Sequence, residues 1–414
     1  MGEPSGPHRV LLTETTSASA REVLTVLGHL GHRVGVLDAG GMSFTRGSRW
    51  VARRHRVPPF NAGPLRWLDA LAGVLAGGGY DVVLPTHEQL SALSAHRERF
   101  AALVPGLAVP EFAAVRRAQD KAEAVALLDE AGLARPETAV VTSPGELAAR
   151  DDLLPGYVKL PVATASRGVW RVGDAAELRR VAALPEVFAG DGRVVLQRAL
   201  AGPVAMVSAV FDRGRPVGAH VVVRRRDGFQ GGAAAKESVR LPDVERDLAA
   251  LGRTLRWHGP LSADAVLVGE ARVAHYIDLN PRLVEPVNAH LAGAALVERW
   301  LDVSTGRPVG DLVTGAAGVR THALLLAVLG AAADGRGRRG VAAELARAAA
   351  RRGWYARSAE ELTPWADPLS RLPPALAAGV LLVRPAAWPA LAGTGVPPHA
   401  LTAAGWRELT DRAG

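Results

Sequence analysis

The sequence predicts an α/β fold that begins with a parallel, doubly wound sheet. Apolar runs at residues 9–12, 33–37 and 81–84 predict strands, and helical patterns at 20–30 and 65–75 lie between them. Strands that alternate with helices over such short connections are typical of parallel sheets. The turn after the first strand lacks the glycine fingerprint of dinucleotide binding, so the fold does not by itself indicate a dehydrogenase.

A different pattern begins at about residue 115. One long amphipathic helix is predicted at 116–131. Shorter elements follow, with strands at 138–141, 157–160, 169–172 and 194–197 and helices at 175–183 and 244–257. Antiparallel strand pairs are predicted at 204–223 and 263–279, each around a glycine-containing turn. Beyond residue 310 the chain is alanine-rich, and mostly helices are expected there.

Composition narrows the class of protein. A chain of 414 residues is too long for one compact core, so roughly two to four structural units are expected. The absence of cysteine excludes disulfides, thiolate metal sites and cysteine nucleophiles, and it fits a cytoplasmic location. The net charge is +8, but the basic residues are scattered without interleaved aromatic residues, a pattern that does not favour a nucleic-acid partner. The longest apolar stretches, 323–333 and 375–383, are too short to span a bilayer, whereas peripheral membrane contact and a homodimer stay open.

Lysine is rare in this chain. Three lysines accompany 46 arginines, so arginine serves wherever a general surface cation suffices. A position that keeps lysine is therefore expected to need a compact ammonium that the planar guanidinium of arginine cannot replace. The three lysines are Lys121, Lys159 and Lys236.

Four segments carry a recognisable pattern, and two of the lysines lie in them. The segments are Ala118-Gln119-Asp120-Lys121-Ala122, residues 157–169, residues 195–202, and Asp264 followed by residues 276–282 (YIDLNPR). In this order and at this spacing they resemble the ATP-grasp module of carbamoyl-phosphate synthetase-like ligases, in the carboxylate–amine ligase branch. Together with the preceding sheet, the resemblance covers roughly residues 9–300.

The resemblance implies a domain organisation. Residues 1–112 are expected to form a Rossmann-like domain that precedes the ATP-grasp module. Residues 113–200 are expected to form the small lobe of the module, and residues 201–310 the large lobe with the metal site. Residues 311–414 are expected to add a mostly helical extension, whose role the sequence leaves open.

The resemblance also implies which residues bind ATP. Lys121 and Lys159 are expected to neutralise the phosphates as point charges from the two lobes. The loop at 163–168 is expected to cover the phosphates and present backbone N–H groups, with Ser166 and Gly168 among its contacts. The hinge where adenine docks corresponds to Gln197, Arg198 and Leu200.

Oxygen ligands for a metal ion are predicted at the end of the second hairpin. Asp278 and Asn280 are two residues apart on a strand, so their side chains point to the same face. Asp264 lies on the neighbouring strand and can reach that face. Two carboxylates and an amide oxygen suit Mg²⁺, with Mn²⁺ as a possible substitute, better than zinc. Arg282 shares the face and is a candidate for stabilising charge on the transferred phosphoryl group.

Further candidates lie near the expected meeting point of substrate and γ-phosphate. Lys236 lies in a double-glycine segment, 231–238, similar to a loop that related ligases place there, and Arg224 lies close by. Both are candidate catalytic contacts. Glu285 and Asn288 follow the metal motif and are candidates for binding a substrate amine and a substrate carboxylate.

Structural alternatives exist for these assignments. Lys121 and Lys159 would be surface residues on a helix and at a strand end. Arg282 would pair only with Glu285. The segment around Lys236 would be a mobile surface loop.

The resemblance implies an ATP-dependent carboxylate–amine ligase. Such an enzyme phosphorylates a carboxylate, and an amine then attacks the acylphosphate, with release of ADP and phosphate. One alternative is a single-module enzyme that activates bicarbonate. Another is a nucleotide-binding regulator without catalysis, since Asp278 stands where glutamate is commoner and the stretch 202–205 lacks the acid that usually binds ribose.

Overall fold

Three β-sheets with helices packed around them form a mixed α/β architecture. The computed structural model describes residues 6–41, 43–163, 168–364, 366–392 and 396–412. Among these residues, no helix has both the length and the apolar character needed to cross a membrane.

The first sheet is parallel, as the alternating pattern predicted. Its strands lie in the order β3-β2-β1-β4. Its strands are β1 (Arg9–Leu12), β2 (Arg33–Asp38), β3 (Val51–Arg56) and β4 (Val82–Leu84). Its helices are α1 (Ala18–His29), α2 (Pro64–Ala76), α3 (Gln89–Ala95) and α4 (Arg97–Ala101). The sequence did not predict β3, because this edge strand is arginine-rich and largely exposed rather than apolar.

The predicted long helix at 116–131 is wrong, since the chain forms two helices, α5 (Phe112–Gln119) and α6 (Lys121–Glu130). Asp120 between them has extended backbone angles, and its carboxylate accepts hydrogen bonds from the amides of Ala122 and Glu123. Aspartate is a favoured residue at such a helix start. The break places Lys121 in the first turn of α6.

The second sheet is small and antiparallel, in the order β5-β8-β6-β7. Its strands are β5 (Thr138–Val141), β6 (Gly156–Lys159), β7 (Val169–Val172) and β8 (Val194–Arg198). Helices α7 (Pro144–Ala148) and α8 (Ala175–Ala182) cover it and share its apolar core.

The third sheet is the largest, in the order β13-β12-β9-β10-β11-β15-β16 with β14 beside β10. Its strands are β9 (Val204–Asp212), β10 (Arg215–Asp227), β11 (Ala233–Val239), β12 (Gly259–Val268), β13 (Val273–Asn280), β14 (Val313–Thr314), β15 (Arg320–His322) and β16 (Ala359–Glu360). Helices α9 (Pro242–Leu255), α10 (Val287–Leu291) and α11 (Leu296–Ser304) belong to the same region. The predicted boundary at residue 310 therefore cuts this sheet, since β14 to β16 come from the segment expected to be mostly helical.

The segment that contains Lys236 is a strand, β11, and not a mobile loop. A loop was expected because the segment opens with two glycines and is similar to a loop of related ligases, and its alanines also have low strand propensity. Pairing with β10 on one side and β15 on the other overrides that propensity.

The last helices form a separate apolar cluster beside the large sheet, and the final one packs against the helices of the first sheet. They are α12 (Leu324–Ala333), α13 (Gly337–Ala349), α14 (Leu372–Val383), α15 (Trp388–Ala392) and α16 (Ala403–Arg412). Arg21 of α1 is fully buried and donates hydrogen bonds to the Asp367 carboxylate at 3.0 Å, to Ser370 at 2.8 Å and to the carbonyl of Leu362 at 2.8 Å. This buried ion pair fixes the segment before α14 against the N-terminal sheet.

Candidate active site

One face of the large sheet is polar, and it carries most of the predicted site. In the strand register, Asp264 lies opposite Asp278, and Ser262 lies opposite Asn280. The row continues through Ser208, whose hydroxyl is 3.0 Å from that of Ser262. The opposite face is apolar and packs into the main core. The two-residue period of each strand therefore sorts polar residues to one side and aliphatic residues to the other.

The three predicted metal ligands meet on this polar face. Asn280 donates a hydrogen bond from Nδ2 to Asp264 Oδ2 at 3.3 Å. Burial, together with the nearby charge of Asp278, raises the pKa of Asp264 to about 6. A divalent cation bound between two carboxylates removes the repulsion between their charges. Asp264, Asp278 and Asn280 therefore fit a Mg²⁺ ion.

Arg282 lies beside this group but has a different partner from the one considered in the sequence. Its Nη1 is 3.6 Å from Oε1 of Glu88, a buried residue in the loop after β4. Its charge also favours the ionised form of Asp264. Arg282 thus connects the metal face with the carboxyl edge of the N-terminal sheet.

The two predicted phosphate lysines both contact β13 at the edge of the large sheet, Lys159 from the small sheet and Lys121 from helix α6, which packs against β13. Lys159 Nζ, at the end of β6, donates to Gln197 Oε1 at 2.7 Å and to the carbonyl of Ile277 at 2.8 Å. Burial lowers the pKa of Lys159 to about 8, although Asp278 counteracts part of this effect. Lys121 Nζ lies 3.0 Å from Asp278 Oδ1. All four of Lys121, Lys159, Gln197 and Asp278 line one narrow cleft of about 20 Å³ between the small and large sheets.

The other predicted nucleotide residues lie around this cleft. Gln197 also donates from Nε2 to Thr138 Oγ1 at 3.3 Å, which fixes its amide between β5 and β6. Arg198 pairs with Glu137 at 2.9 Å near the surface, and Leu200 lies half-buried just after β8. Gly168 has a positive φ of 69°, and a Cβ atom there would come within 2.7 Å of Leu160. Only glycine fits that close approach. Ser166 lies outside the residues that the structure describes.

Lys236 lies in a buried ion cluster. Its side chain is 1% exposed, and Nζ is 2.6 Å from Glu285 Oε2 and 2.8 Å from Glu361 Oε2. The carboxylate oxygens of Glu22, Glu285 and Glu361 lie within 4.8 Å of one another. Burial alone would lower the pKa of Lys236, but the three glutamates outweigh burial and raise it well above its ordinary value. The ammonium therefore holds together α1, the loop after β13 and the end of β16.

Two further predicted residues have structural partners. Asn288 is buried; its Oδ1 accepts a hydrogen bond from His220 Nε2 at 2.8 Å, and its Nδ2 donates one to Thr321 Oγ1 at 2.7 Å. It therefore joins β10 and β15 beneath the site rather than presenting a free amide to a substrate. Arg224 lies opposite Lys236 in the register and pairs with Asp227 at 2.8 Å.

Several residues of the site carried no sequence signal. Glu22, Glu88 and Glu361 reach the polar face from elements far away in the chain, and they follow no short motif. His220 lies on the polar face, and burial lowers its pKa to about 4, so it is neutral at pH 7. The one sequence feature that could have indicated His220 is its position as a polar residue within an otherwise apolar strand.

Replacing Asp278 with asparagine is expected to weaken Mg²⁺-dependent nucleotide binding by about tenfold or more. The variant loses one charged ligand, while Lys121 is released from its ion pair and remains free for phosphate. Titration calorimetry of ATP should therefore show the loss with Mg²⁺ but not with a chelator. Asp243→Asn, at an exposed carboxylate on α9, is the matched control. Unchanged Mg²⁺–ATP affinity in Asp278→Asn would contradict the metal assignment.

Comparison with known proteins relates this fold to several solved structures. No family model and no curated protein sequence matches the chain. An L-amino acid ligase from Bacillus licheniformis is 16% identical, with a TM-score of 0.55 over 73% of this chain and 75% of that one. A biotin carboxylase from Campylobacter jejuni is 14% identical, with a TM-score of 0.58 over 75% and 74%. An N5-carboxyaminoimidazole ribonucleotide synthetase from Thermus thermophilus is 19% identical, with a TM-score of 0.56 over 75% and 81%.

These similarities agree with the resemblance in the sequence motifs. At such low identity they concern the fold alone. The chain has the ATP-grasp fold.

Proposed function

We propose that the chain is an ATP-dependent ligase that joins a carboxylate to an amine on a small metabolite. The observation that carries this proposal is the convergence of Lys121 and Lys159 on Asp278 across one cleft. A nucleoside triphosphate needs cations next to its phosphates, and its metal ion needs oxygen ligands close by.

The parts of the chain take distinct roles in this proposal. The parallel sheet is the Rossmann-like domain, and the small antiparallel sheet is the lobe that covers the nucleotide. The large sheet supplies the metal face. Because β14 to β16 complete that sheet, the extension after residue 310 is part of the same lobe and not a separate addition.

The reaction proceeds in two transfers. A carboxylate oxygen of the substrate attacks the γ-phosphorus of ATP, and the bond between the γ-phosphorus and the bridging oxygen breaks, which yields an acylphosphate and ADP. An amine then attacks the acyl carbon, loses a proton and expels phosphate. Lys121, Lys159 and Arg282 stabilise the negative charge of the phosphates in these steps, because each is a cation that faces the cleft or the metal face.

A bound Mg²⁺ would be held by Asp264, Asp278 and Asn280 and would neutralise phosphate charge. The cleft itself must change when nucleotide enters. Its volume of about 20 Å³ is far smaller than a nucleotide, and Lys159 and Lys121 contact β13 directly. ATP binding therefore exchanges these two contacts for contacts with phosphate.

The substrate amine fits best near Glu285. This glutamate is the most exposed member of the ion cluster, with 19% of its side chain accessible. Burial and the neighbouring glutamates raise the pKa of Glu22 well above its ordinary value, so Glu22 favours its neutral form. Glu285, the most exposed acid of the cluster, is therefore the one that can accept a substrate ammonium.

Bicarbonate is a second candidate for the activated acid. A Hydrogenobacter thermophilus biotin carboxylase domain of similar fold, 13% identical with a TM-score of 0.59, was crystallised with MgADP and bicarbonate. Turnover that requires bicarbonate and no other carboxylate would favour this candidate over the ligase.

A substrate screen tests the proposal. ADP and phosphate release would be measured with ATP, Mg²⁺ and pools of amino acids and small carboxylates, with and without bicarbonate, and products would be identified by mass. The ligase proposal expects release that needs both a carboxylate and an amine, and a product that has lost the elements of water. Tight nucleotide binding without ADP formation in any pool would instead indicate a regulator.

A further inference from the structure

A cavity of about 480 Å³ lies at the carboxyl edge of the N-terminal sheet. The loop after β1 contributes Thr16, and the loop after β2 contributes Gly40 and Gly41. The turn between β10 and β11 contributes Phe229. In open α/β sheets, ligands bind outside the carboxyl ends of the strands. The cavity therefore lies where this fold places ligands.

The C-terminal helices form the other wall of the cavity, and that wall is apolar. Leu325, Leu326 and Leu329 of α12 line it, together with Ala377 of α14 and Leu391 of α15. Among the lining residues in the described ranges, none is an aspartate, glutamate, lysine or arginine. The buried Arg21–Asp367 ion pair holds the segment before α14 in place, so this wall of the cavity is formed without a ligand.

Polar side chains connect the rim of the cavity to the metal face. Thr16 Oγ1 is 2.6 Å from Nδ1 of His399, and both residues line the cavity. The ring of His399 lies 4.2 Å from the ring of His87. The next residue along the chain, Glu88, pairs with Arg282 on the metal face. A series of neighbouring residues, His399, His87 and Glu88, therefore leads from the rim of the cavity to Arg282.

A second connection runs through the ion cluster. Leu362 lines the cavity, and the preceding residue, Glu361, lies 2.8 Å from Lys236 Nζ. The amine site proposed at Glu285 belongs to the same cluster. The cavity and the proposed amine site therefore lie on either side of one short chain segment, residues 361–362.

We propose that this cavity binds the bulky apolar group of a carboxylate substrate, and that the C-terminal helices set the specificity of the enzyme for it. The proposal rests on the ligase function proposed above. The volume is in the range of pockets that hold drug-sized ligands and exceeds what a small polar amino acid would fill.

Calorimetry with a non-hydrolysable ATP analogue and Mg²⁺ tests this proposal without turnover. The probes are straight-chain 2-amino carboxylates from alanine to 2-aminooctanoate, together with phenylalanine and tryptophan. Affinity is expected to rise about threefold to fourfold with each added methylene until the cavity is filled. Octanol, which has the apolar chain without the carboxylate, is expected to bind much more weakly.

Two alanines of α14 supply a matched pair of variants. Ala377→Phe places a ring in the cavity and is expected to weaken binding of the longest probe by about tenfold or more, with affinity for the ATP analogue unchanged. Ala375→Phe, on the exposed side of the same helix, is expected to change neither affinity.

The outcomes separate this proposal from the ligase function. Equal affinity along the probe series, octanol binding as tight as that of 2-aminooctanoate, or no effect of Ala377→Phe would overturn the assignment of the cavity. Length-dependent binding that Ala377→Phe weakens, without ADP formation from ATP, would support the cavity and overturn the ligase.

Discussion

Lys159→Arg is expected to lower kcat/KM for ADP formation by roughly 10²- to 10³-fold while leaving the fold intact. Lys159 is 7% exposed, and its ammonium lies between Gln197 Oε1 and the carbonyl of Ile277, at distances of 2.7 and 2.8 Å. A guanidinium is larger and planar, and it cannot occupy the same point between two oxygens. Because arginine keeps the positive charge, a loss of activity would report on the shape of the cation. Steady-state ADP formation and a thermal melt of the same preparation would measure the two effects separately.

The control for this variant reverses the exchange at a surface position. Arg253→Lys lies on the exposed side of α9 and is expected to leave turnover unchanged. Near-normal activity in Lys159→Arg would overturn the assignment of this lysine to the phosphates, whatever the control shows.

Lys236→Met is expected to destabilise the protein by about 3–5 kcal/mol. The substitution keeps much of the volume of the side chain but removes the ammonium that pairs with Glu285 and Glu361, and Glu22 lies in the same cluster. Buried carboxylates left without a counter-charge are far costlier than the loss of a surface ion pair. Denaturant unfolding at neutral pH, or nucleotide-free thermal melting if unfolding is irreversible, would measure the effect.

The pH dependence of this contribution has a definite sign. The pKa of Lys236 in the folded protein lies above its ordinary value of 10.5. The contribution is therefore fully present below about pH 10.5 and is lost only as the pH rises beyond that point. Measurements of unfolding at pH 7 therefore include the full contribution of Lys236 to stability.

A second variant separates electrostatics from packing at this position. Lys236→Met combined with Glu361→Gln removes the ammonium and one carboxylate, so part of the lost stability is expected to return. Arg246→Met breaks an exposed ion pair on α9 and is expected to change stability little. Equal stability of Lys236→Met and the unmodified protein would show that the cluster does not need its ammonium.

Much of the site could be predicted because it depends on local geometry. Asp278 and Asn280 share a face through the two-residue period of a strand, and Asp264 lies opposite Asp278 across a hairpin. Such relations follow from sequence spacing alone. The parallel N-terminal sheet was predictable for the same reason, since apolar runs that alternate with helical patterns indicate such a sheet.

The remaining features depend on contacts between distant segments. Glu361 reaches Lys236 only because β16 joins the large sheet, and this short strand has no local sequence pattern that predicts the pairing. Strand β11 was missed because neighbouring strands override the helix preference of alanine, and the break at Asp120 because its capping role was not recognised. The apolar cavity could not be predicted, since several widely separated parts of the chain form it.

The most direct test of the proposed reaction follows oxygen from the carboxylate to the phosphate. Carboxylates that support ADP release would be labelled with ¹⁸O at the carboxyl group, and the released phosphate would be examined by mass spectrometry. An acylphosphate predicts that each turnover transfers one ¹⁸O atom from the carboxylate to phosphate, while the amide product keeps the other. Unlabelled phosphate released alongside the amide product, with the label retained elsewhere, would contradict activation of the carboxylate by phosphoryl transfer.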